Sequence, residues 1–330
     1  MTTTTILQAI QRYLETISLA RSEHTARAYH NALQRFCMTL DNHAISPDQA
    51  PIEELTEEAV AWFAAELKGY APASESLYLT ALAGFYEFLA ADGLAEPNLP
   101  RVRLLIRQRS RKPGVRLPQF PKSQIADVLD YAINLADATT EDEPARLRNL
   151  RDRAFLLTLA DTGLRVHEAC GLRRGDLDWQ ESKAVVIGKG NRQAVVRFSR
   201  RSLAALKDYL AARAAQDGAS GKPLASLPLF ARHDKGAGKK IKAITTATGR
   251  NIVSQRVRAA LGDAAEGTIT PHSFRHYFVT TVLQGSGNLK LAQELARHQN
   301  IAVTQRYAHL SDDELDRGYE NIFSMDPPAT

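Results

Sequence analysis

Two short runs of alternating apolar residues, at 184–187 and 194–198, interrupt a sequence whose other apolar residues recur mostly with helical spacing. Between them lies Gly188-Lys189-Gly190-Asn191-Arg192, in which glycine and asparagine accept the positive φ of a tight hairpin turn. The sequence therefore predicts an α+β fold that is mainly α, with a small antiparallel β-sheet in a mostly helical C-terminal domain. The hairpin places Lys189 at an exposed tip.

The first part of the chain predicts an all-α N-terminal domain. Helical periodicity predicts helices at 6–17, 23–40, 56–67 and 74–91. Further helices are expected at 122–135, 149–160, 199–215, 248–261 and, after a Ser311-Glu314 capping box, up to about 323. A chain of 330 residues is long enough for two domains. The predicted boundaries are 1–98 for the N-terminal domain, 99–118 for a basic linker, 119–323 for the second domain and 324–330 for a loose tail.

The net charge of +5 conceals a division along the chain. Residues 1–100 contain 5 Lys and Arg against 13 Asp and Glu, whereas the remainder contains 37 against 24. A basic balance on one module is typical of a protein that binds a polyanion. No long uncharged apolar run and no signal peptide are evident, so we expect a cytoplasmic protein that does not enter a membrane. Cys37 and Cys170 are expected to be reduced and buried.

Two basic segments are candidates for contact with nucleic acid. The first is the expected linker, in which residues 101–116 hold seven basic residues and no acid. The second is the expected helix at 248–261, whose arginines could meet phosphates or base edges. The candidate contact residues are Arg101, Arg103, Arg107, Arg109, Arg111, Lys112, Arg250, Arg256 and Arg258. The first segment could instead be a solvated linker, but a basic strap that follows a phosphate backbone is favoured.

Residue types suited to phosphate chemistry occur together at 269–310. His272 and Arg275 lie one helical turn apart, and His298 and Tyr307 follow. A phosphodiester is a stable anion, so attack on it needs cationic donors for its oxygens, an in-line nucleophile and an acid for the leaving oxygen. Arginine binds phosphate bidentately, tyrosine can form a covalent intermediate, and histidine can move the proton.

A second arginine and an acid are predicted further upstream. Residues 159–179 predict the end of one helix, a Thr-Gly turn and a new helix starting near residue 164. That pattern places Arg165 in a first helical turn, where free backbone amides also favour an anion. Lys189, at its hairpin tip, can reach into a groove and donate a proton. Together these residues predict a site that holds a phosphate and attacks it.

Four segments, in order, resemble the boxes of the tyrosine recombinase (phage integrase) family. They are TGLRVHEACGL, the Lys189 hairpin, HSFRH and HQNIAVTQRY, and the layout is most similar to the compact Xer-like members. The resemblance covers residues 122–323 well and the first hundred residues more loosely. It implies that Arg165 and Arg275 clamp the scissile phosphate, that Tyr307 is the nucleophile and that His272 helps to take its proton.

The same resemblance assigns the remaining residues of the site. His298 donates a hydrogen bond to a phosphate oxygen, Lys189 is the general acid for the 5′-oxygen, and Glu168 holds the first arginine and its helix in place. One departure lies at the start of the fourth segment, where family members often have Leu-Gly-His and this chain has Ala296-Arg297-His298. That change bears on the local backbone rather than on the chemistry.

Other interpretations stay open for each residue taken singly. Arg165 and Arg275 could form ordinary ion pairs, Tyr307 could be a core aromatic residue, and Lys189 could be a solvated loop residue. His272 and His276 have the spacing of a zinc-binding helix, but Ser273 stands where a metalloprotease has glutamate. No metal and no cofactor are therefore expected.

The resemblance predicts a site-specific DNA recombinase that works through a 3′-phosphotyrosyl intermediate and a Holliday junction. Its expected partner is double-stranded DNA, bound by a homotetramer on two duplexes, and a partner recombinase or accessory protein stays open. The alternatives are a DNA-relaxing enzyme like the type IB topoisomerases and a non-catalytic DNA-binding protein. A metal-dependent hydrolase is disfavoured, because the sequence shows no carboxylate cluster. The target sequence and the choice between chromosome-dimer resolution and mobile-element integration or transposition are not predicted.

Overall fold

The computed structural model describes residues 4–111, 121–140, 142–188, 193–234, 240–298 and 300–305. The chain divides into two compact units, Met1–Val115 and Arg116–Thr330. Helices dominate both units, and the second contains a three-stranded antiparallel sheet. The expected α+β, mainly α fold class is therefore confirmed.

The described residues of the N-terminal unit, 4–111, form five α-helices. They are α1 (Ile6–Ala20), α2 (Glu23–Asn42), α3 (Glu58–Glu66), α4 (Pro72–Ala91) and α5 (Leu99–Arg109). A capping box between Thr5 and Gln8 starts α1, and the Ser22 hydroxyl caps α2, as its residue type predicts. Phe36 and Phe63 meet edge to face at 5.4 Å in the core between α2 and α3.

Helix α5 lies where the sequence predicted a basic linker. Its Val102 is 1% exposed and belongs to the apolar core of the N-terminal unit. The Asn98 side chain caps the helix by accepting a hydrogen bond from the Arg101 N–H at 3.0 Å. The first part of the expected linker, up to Arg109, is therefore a packed helix, because apolar residues at helical spacing lie between the arginines.

The end of α5 is held by a buried carboxylate. Glu75 of α4 has a fully buried side chain, and its oxygens accept hydrogen bonds from Lys68 Nζ at 2.8 Å and from Arg111 Nε at 2.6 Å. The Arg111 backbone N–H also donates to Glu75, at 2.9 Å. Burial alone would raise the pKa of Glu75, but these hydrogen bonds lower it to about 2.

The second unit contains nine helices among its described residues. They are α6 (Lys122–Asn134), α7 (Glu143–Thr162), α8 (Val166–Gly171), α9 (Arg200–Ala212), α10 (Ala214–Gly218), α11 (Thr246–Leu261), α12 (Pro271–Ser286), α13 (Leu289–Ala296) and α14 (Ile301–Gln305). Helix α7 runs through the core and packs against α6, α9 and α12. It begins six residues before the predicted start, because the Asp142 side chain caps it and Pro144 stands in its first turn.

The sheet joins α8 to α9 and consists of β1 (Leu177–Asp178), β2 (Lys183–Ile187) and β3 (Gln193–Arg197), in that order. Val185 pairs with Val195 and Val186 with Ala194, which confirms the predicted hairpin between the two apolar runs. Strand β1 was not predicted, because two residues are too few to show an alternating pattern. The hairpin residues 189–192 lie outside the described residues.

Helix α11 approaches α8 closely at a glycine. A Cβ atom at Gly249 would lie 2.9 Å from Cys170 Sγ and 2.9 Å from Val166 Cγ2. This contact explains why a residue without a side chain stands in the first part of α11. It fixes the position of α8, which carries part of the candidate site.

Candidate active site

Arg165 and Glu168 form the first part of the site. Arg165 is the N-cap residue of α8 rather than a residue of its first turn, and its side chain is 43% exposed. Its N–H donates to Glu168 Oε2 at 2.8 Å, and its Nη1 donates to Glu168 Oε1 at 3.1 Å. The Arg165 amide that was expected to favour an anion is therefore already bonded to Glu168.

Glu168 is a buried carboxylate with two arginine partners. Its side chain is 1% exposed, and Arg297 Nη2 lies 2.9 Å from its Oε2. Burial alone would raise the pKa of Glu168, but the Arg165 N–H and the charges of Arg297 and Arg165 lower it. Glu168 is therefore ionised at neutral pH.

Arg275 connects the ends of two helices. It lies in the first turns of α12 and is 4% exposed. Its Nη1 donates to the carbonyl of Gly163 at the end of α7, and its Nη2 donates to the carbonyl of Ala296 at the end of α13. Helix C-termini carry partial negative charge, so this guanidinium is held where its charge is stabilised.

Two histidines of α12 lie next to Arg275. The rings of His272 and His276 are 4.1 Å apart and nearly perpendicular. Burial, and then the charges of Arg275 and Arg165, lower the pKa of His272. Burial and the charges of His272 and Arg275 lower the pKa of His276 to about 4. Both imidazoles are therefore neutral near pH 7.

His298 follows α13 and has an oriented ring. Its Nδ1 lies 2.8 Å from the Thr304 hydroxyl, and its backbone N–H donates to the Gln293 carbonyl at 3.1 Å. Burial, and then the charges of Arg275 and Arg165, lower the pKa of His298 to about 4. The contact with Thr304 leaves Nε2 as the ring nitrogen directed away from that hydroxyl.

One cleft of about 500 Å³ brings these side chains together. Among its lining residues are Arg165, Glu168, His272, Arg275, Arg297 and His298. Gly188 and Gln193, on either side of the hairpin tip, also line it, and so does Val303 of α14. Residues separated by more than a hundred positions in the sequence thus face one space.

Lys189, Tyr307 and Lys112 lie outside the described residues, as do the expected C-terminal helix and the tail at 324–330. Within the described part of the chain, no group of three or more His, Cys, Asp or Glu side chains could hold a metal ion. The expectation that the site uses no metal stays a prediction.

The candidate DNA-contact arginines differ in their surroundings. Arg111 and Arg256 are held by buried acids, Glu75 and Asp152, at 2.6 Å and 2.7 Å. Exposed ion pairs engage three further arginines, which are Arg101 with Glu58, Arg103 with Glu87 and Arg258 with Asp263. The exposed arginines 107, 109 and 250 form no ion pair with any acid among the described residues.

From the sequence, Arg297 was expected to affect only the local backbone, because it stands where the family often has glycine. The structure places its side chain in the cleft, 13% exposed and paired with Glu168. The signal in the sequence was the departure itself, since a large cation stands at a position where the resembling family often has glycine.

Two protein-family models match this chain. The model of the "Phage integrase family" matches residues 130–314, more than half of the chain, and that of the "Phage integrase, N-terminal SAM-like domain" matches residues 10–93. The chain belongs to the phage integrase family of tyrosine recombinases. The membership expected from the four sequence segments is thus confirmed.

Named relatives of this tyrosine recombinase cover nearly its full length. It is 30% identical over 315 residues to the tyrosine recombinase XerC of Pelobacter propionicus, which covers 95% of this chain and 93% of that protein. It is 28% identical over 320 residues to the tyrosine recombinase XerD of Mycobacterium tuberculosis, covering 92% and 93%. These relatives support a recombinase of the Xer type.

Solved structures share the fold of this tyrosine recombinase. A XerH site-specific recombinase bound to its difH substrate superposes with a TM-score of 0.63 at 19% identity, covering 89% of this chain and 78% of that one. A lambda integrase dimer bound to a COC′ core site gives 0.62 at 17% identity, covering 92% and 95%. In the part of this chain that the structure describes, no helix is long and apolar enough to cross a membrane.

Proposed function

We propose that this tyrosine recombinase cuts and rejoins DNA at specific sites, with Arg165, His272, Arg275 and His298 acting on the scissile phosphate. The observation that supports this proposal is their convergence on one cleft, from α8, α12 and the end of α13. Two arginines supply charge for the non-bridging oxygens, and two neutral histidines supply a proton acceptor and a hydrogen-bond donor. A surface that only bound DNA would need no such set of neutral imidazoles.

Tyr307 is the proposed nucleophile. A bond forms between Tyr307 Oη and the phosphorus as the bond from phosphorus to the 5′-oxygen breaks. His272 accepts the phenolic proton, and Lys189 gives a proton to the departing 5′-oxygen. The products are a 3′-phosphotyrosyl linkage and a free 5′-hydroxyl, and attack by the 5′-hydroxyl of a second duplex reverses the step. Strand exchange by this route passes through a Holliday junction.

Two features of the described residues support these assignments. Gly188 and Gln193, which flank the hairpin tip, line the cleft, as expected if Lys189 acts there. Val303, in the helix that precedes Tyr307, lines it as well. Because the phosphotyrosyl bond conserves the energy of the phosphodiester, the proposed reaction needs no nucleotide, and it needs no metal cofactor.

The proposed DNA contacts are chosen by whether each candidate arginine already forms an ion pair within the protein. Arg107, Arg109 and Arg250 are the best candidates, because among the described residues no acid neutralises them. Arg101, Arg103 and Arg258 could exchange an exposed carboxylate partner for a phosphate, since such pairs contribute little stability. Arg111 and Arg256 are proposed to be structural, and Lys112 stays a sequence-based candidate.

We propose that residues 1–98 form a core-binding domain and residues 119–323 the catalytic domain, joined through 99–118. The proposed partner is double-stranded DNA, bound by a homotetramer that holds two duplexes. A partner recombinase or an accessory protein could also take part. The cytoplasmic location expected from the sequence stays a prediction. The two alternative functions receive no support from the comparisons, since the named relatives are recombinases.

A covalent trapping experiment tests the proposed function. Binding sites are first selected from a random duplex pool and from fragments flanking the gene, and the enriched site is nicked so that cleavage cannot reverse. The protein is incubated with this DNA in EDTA, and covalent adducts are separated on a denaturing gel. We expect an adduct from the unaltered protein and none from Tyr307→Phe.

Tyr78→Phe is the matched control, because Tyr78 belongs to the N-terminal unit and contacts Tyr70, with 5.8 Å between ring centroids. This variant should form the adduct at the normal rate. An adduct that persists in Tyr307→Phe would refute the nucleophile assignment. Cleavage that appears only with added metal would refute the mechanism.

A further inference from the structure

Arg297 occupies a backbone conformation that favours glycine. It is the C-cap residue of α13, with φ at +58° and ψ at +42°. A side chain in this left-handed region meets the neighbouring backbone, so an arginine there has a steric cost that a glycine avoids. Something else must make arginine useful at this position.

The Arg297 side chain turns back into the cleft. It is 13% exposed, and its Nη2 lies 2.9 Å from Glu168 Oε2, although the two residues are 129 positions apart. The same carboxylate accepts hydrogen bonds from the Arg165 backbone N–H at 2.8 Å and from Arg165 Nη1 at 3.1 Å. One buried negative charge is therefore shared between two guanidinium groups.

The sharing matters because Glu168 lines the space in which a phosphate is proposed to bind. A carboxylate there repels the phosphate, and the repulsion is strong where water is excluded. If Arg165 were its only cationic partner, most of the charge of Arg165 would be offset by Glu168. Arg297 is the more buried of the two arginines, whereas Arg165 is 43% exposed and faces the cleft.

We propose that Arg297 is a positioning residue that neutralises Glu168 and so keeps the charge of Arg165 available to the scissile phosphate. The inference rests on the proposed function, in which Arg165 binds that phosphate. A chain with glycine at this position would lack this partner for the glutamate. Arg297 itself need not touch the DNA.

The test compares Arg297→Gly with the unaltered protein. Glycine accepts the left-handed conformation, so the substitution removes the guanidinium without straining the turn. On saturating nicked DNA, we expect the rate of adduct formation to fall about 10-fold to 100-fold, as is typical when a supporting partner of a site residue is lost. The affinity for the intact duplex should change less than threefold, because the proposed DNA-contact arginines lie elsewhere.

A second variant separates charge compensation from simple support of the fold. In Arg297→Gly combined with Glu168→Gln, the side chain at 168 is uncharged and its amide oxygen can still accept from Arg165. We expect this double variant to form the adduct at least fivefold faster than Arg297→Gly alone. A purely structural role predicts that the double variant is as slow as, or slower than, the single one.

Lys290→Ala is the control on the same helix, since Lys290 and its partner Glu294 are both 66% exposed. It should form the adduct at the normal rate. The inference is overturned if Arg297→Gly reacts at the normal rate, if its rate falls only in proportion to its folded fraction, or if the added Glu168→Gln gives no gain. Absence of a Tyr307-dependent adduct from the unaltered protein would instead refute the proposed function.

Discussion

Gly163 controls the position of Arg275 through both its backbone and its lack of a side chain. Its φ is +60°, and a Cβ atom there would lie 2.4 Å from Cδ1 of Phe278. We expect Gly163→Ala to lower the free energy of unfolding by about 2 to 4 kcal/mol, since it combines backbone strain with overpacking. Chemical denaturation measures the change. The rate of adduct formation should also fall, because the Gly163 carbonyl is an acceptor for Arg275.

Gly171→Ala is the control for that prediction. A Cβ atom at Gly171 would have no neighbouring atom within 4 Å, and the φ of this residue is not positive. Its substitution should leave the free energy of unfolding within about 1 kcal/mol of the original value, or raise it slightly. Equal losses in the two variants would show that the contact with Phe278 is not what requires glycine at 163.

The sequence predicted which residue types meet in the cleft, but not how they are held. The helical spacing of His272 and Arg275 was enough to place them on one turn of α12. By contrast, the acceptors of Arg275 are backbone carbonyls, which every residue has, so no pattern could single them out. The pairing of Arg297 with Glu168 joins positions 129 apart and depends on the packing of α8 and α13.

Helix α5 shows that the sequence also could not predict which distant residues hold a whole element in place. Seven basic residues with flanking prolines favoured a basic linker that follows a phosphate backbone, and local composition could not reveal that Glu75 holds Arg111 from 36 positions away. The available signal was the set of apolar residues between the arginines, Val102 among them, since apolar residues at helical spacing are unusual for a linker. The hairpin of the small sheet was predicted correctly, because alternation and turn residues are both local features.

Helix α11 gives a test of which arginines contact DNA. Arg250 is exposed, whereas Arg256 donates to Asp152 at 2.8 Å and to Asn149 at 2.8 Å. For Arg250→Ala we expect weaker binding to any duplex, and a log–log salt dependence that is shallower by about 0.9 if one phosphate contact is lost. Binding titrations at several salt concentrations measure the slope.

Arg256→Ala is the companion variant on the same helix. It should lower the free energy of unfolding by about 1 to 2 kcal/mol, because Asp152 stays buried and, within the described part of the chain, keeps only Arg151 as a charged partner. Its salt slope should match that of the unaltered protein. If the slope changes for Arg256→Ala and not for Arg250→Ala, the proposed division between contact and support is reversed.

The C-terminal unit should lose stability at mildly acidic pH, and the N-terminal unit at lower pH. Burial lowers the pKa of His233 to about 3, and the pKa values of His276 and His298 are lowered to about 4. The unfolded chain, with histidine pKa values of about 6.5, therefore binds more protons between pH 6.5 and 4. Stability from these groups is fully present above pH 6.5, and by pH 5 we expect a loss on the order of 2 to 4 kcal/mol, discounted for solvent screening.

The two tryptophans allow this prediction to be measured separately for each unit. Trp62 lies in the N-terminal unit and Trp179 in the C-terminal unit. In Trp62→Phe, tryptophan fluorescence during denaturation reports on the C-terminal unit, which contains His233, His276 and His298. The stability of that unit should decline as the pH falls below 6.5. In Trp179→Phe, the contribution of Glu75, whose pKa is about 2, should begin to be lost only below about pH 4.5. A C-terminal unit that is equally stable at pH 7 and pH 5 would contradict the histidine assignments.

The hydrogen bonds that Arg275 donates to two backbone carbonyls have a consequence for how such proteins diverge in evolution. A descendant that lost catalysis would be free to change the proposed nucleophile Tyr307 or the proposed phosphate ligand Arg165, but replacement of Arg275 would remove its hydrogen bonds to the buried ends of α7 and α13. Natural selection for folding alone would then preserve Arg275 long after the reaction had disappeared. In a relative that has lost activity, the presence of Arg275 would therefore indicate an intact fold. Only the tyrosine and the exposed arginine would indicate an active enzyme.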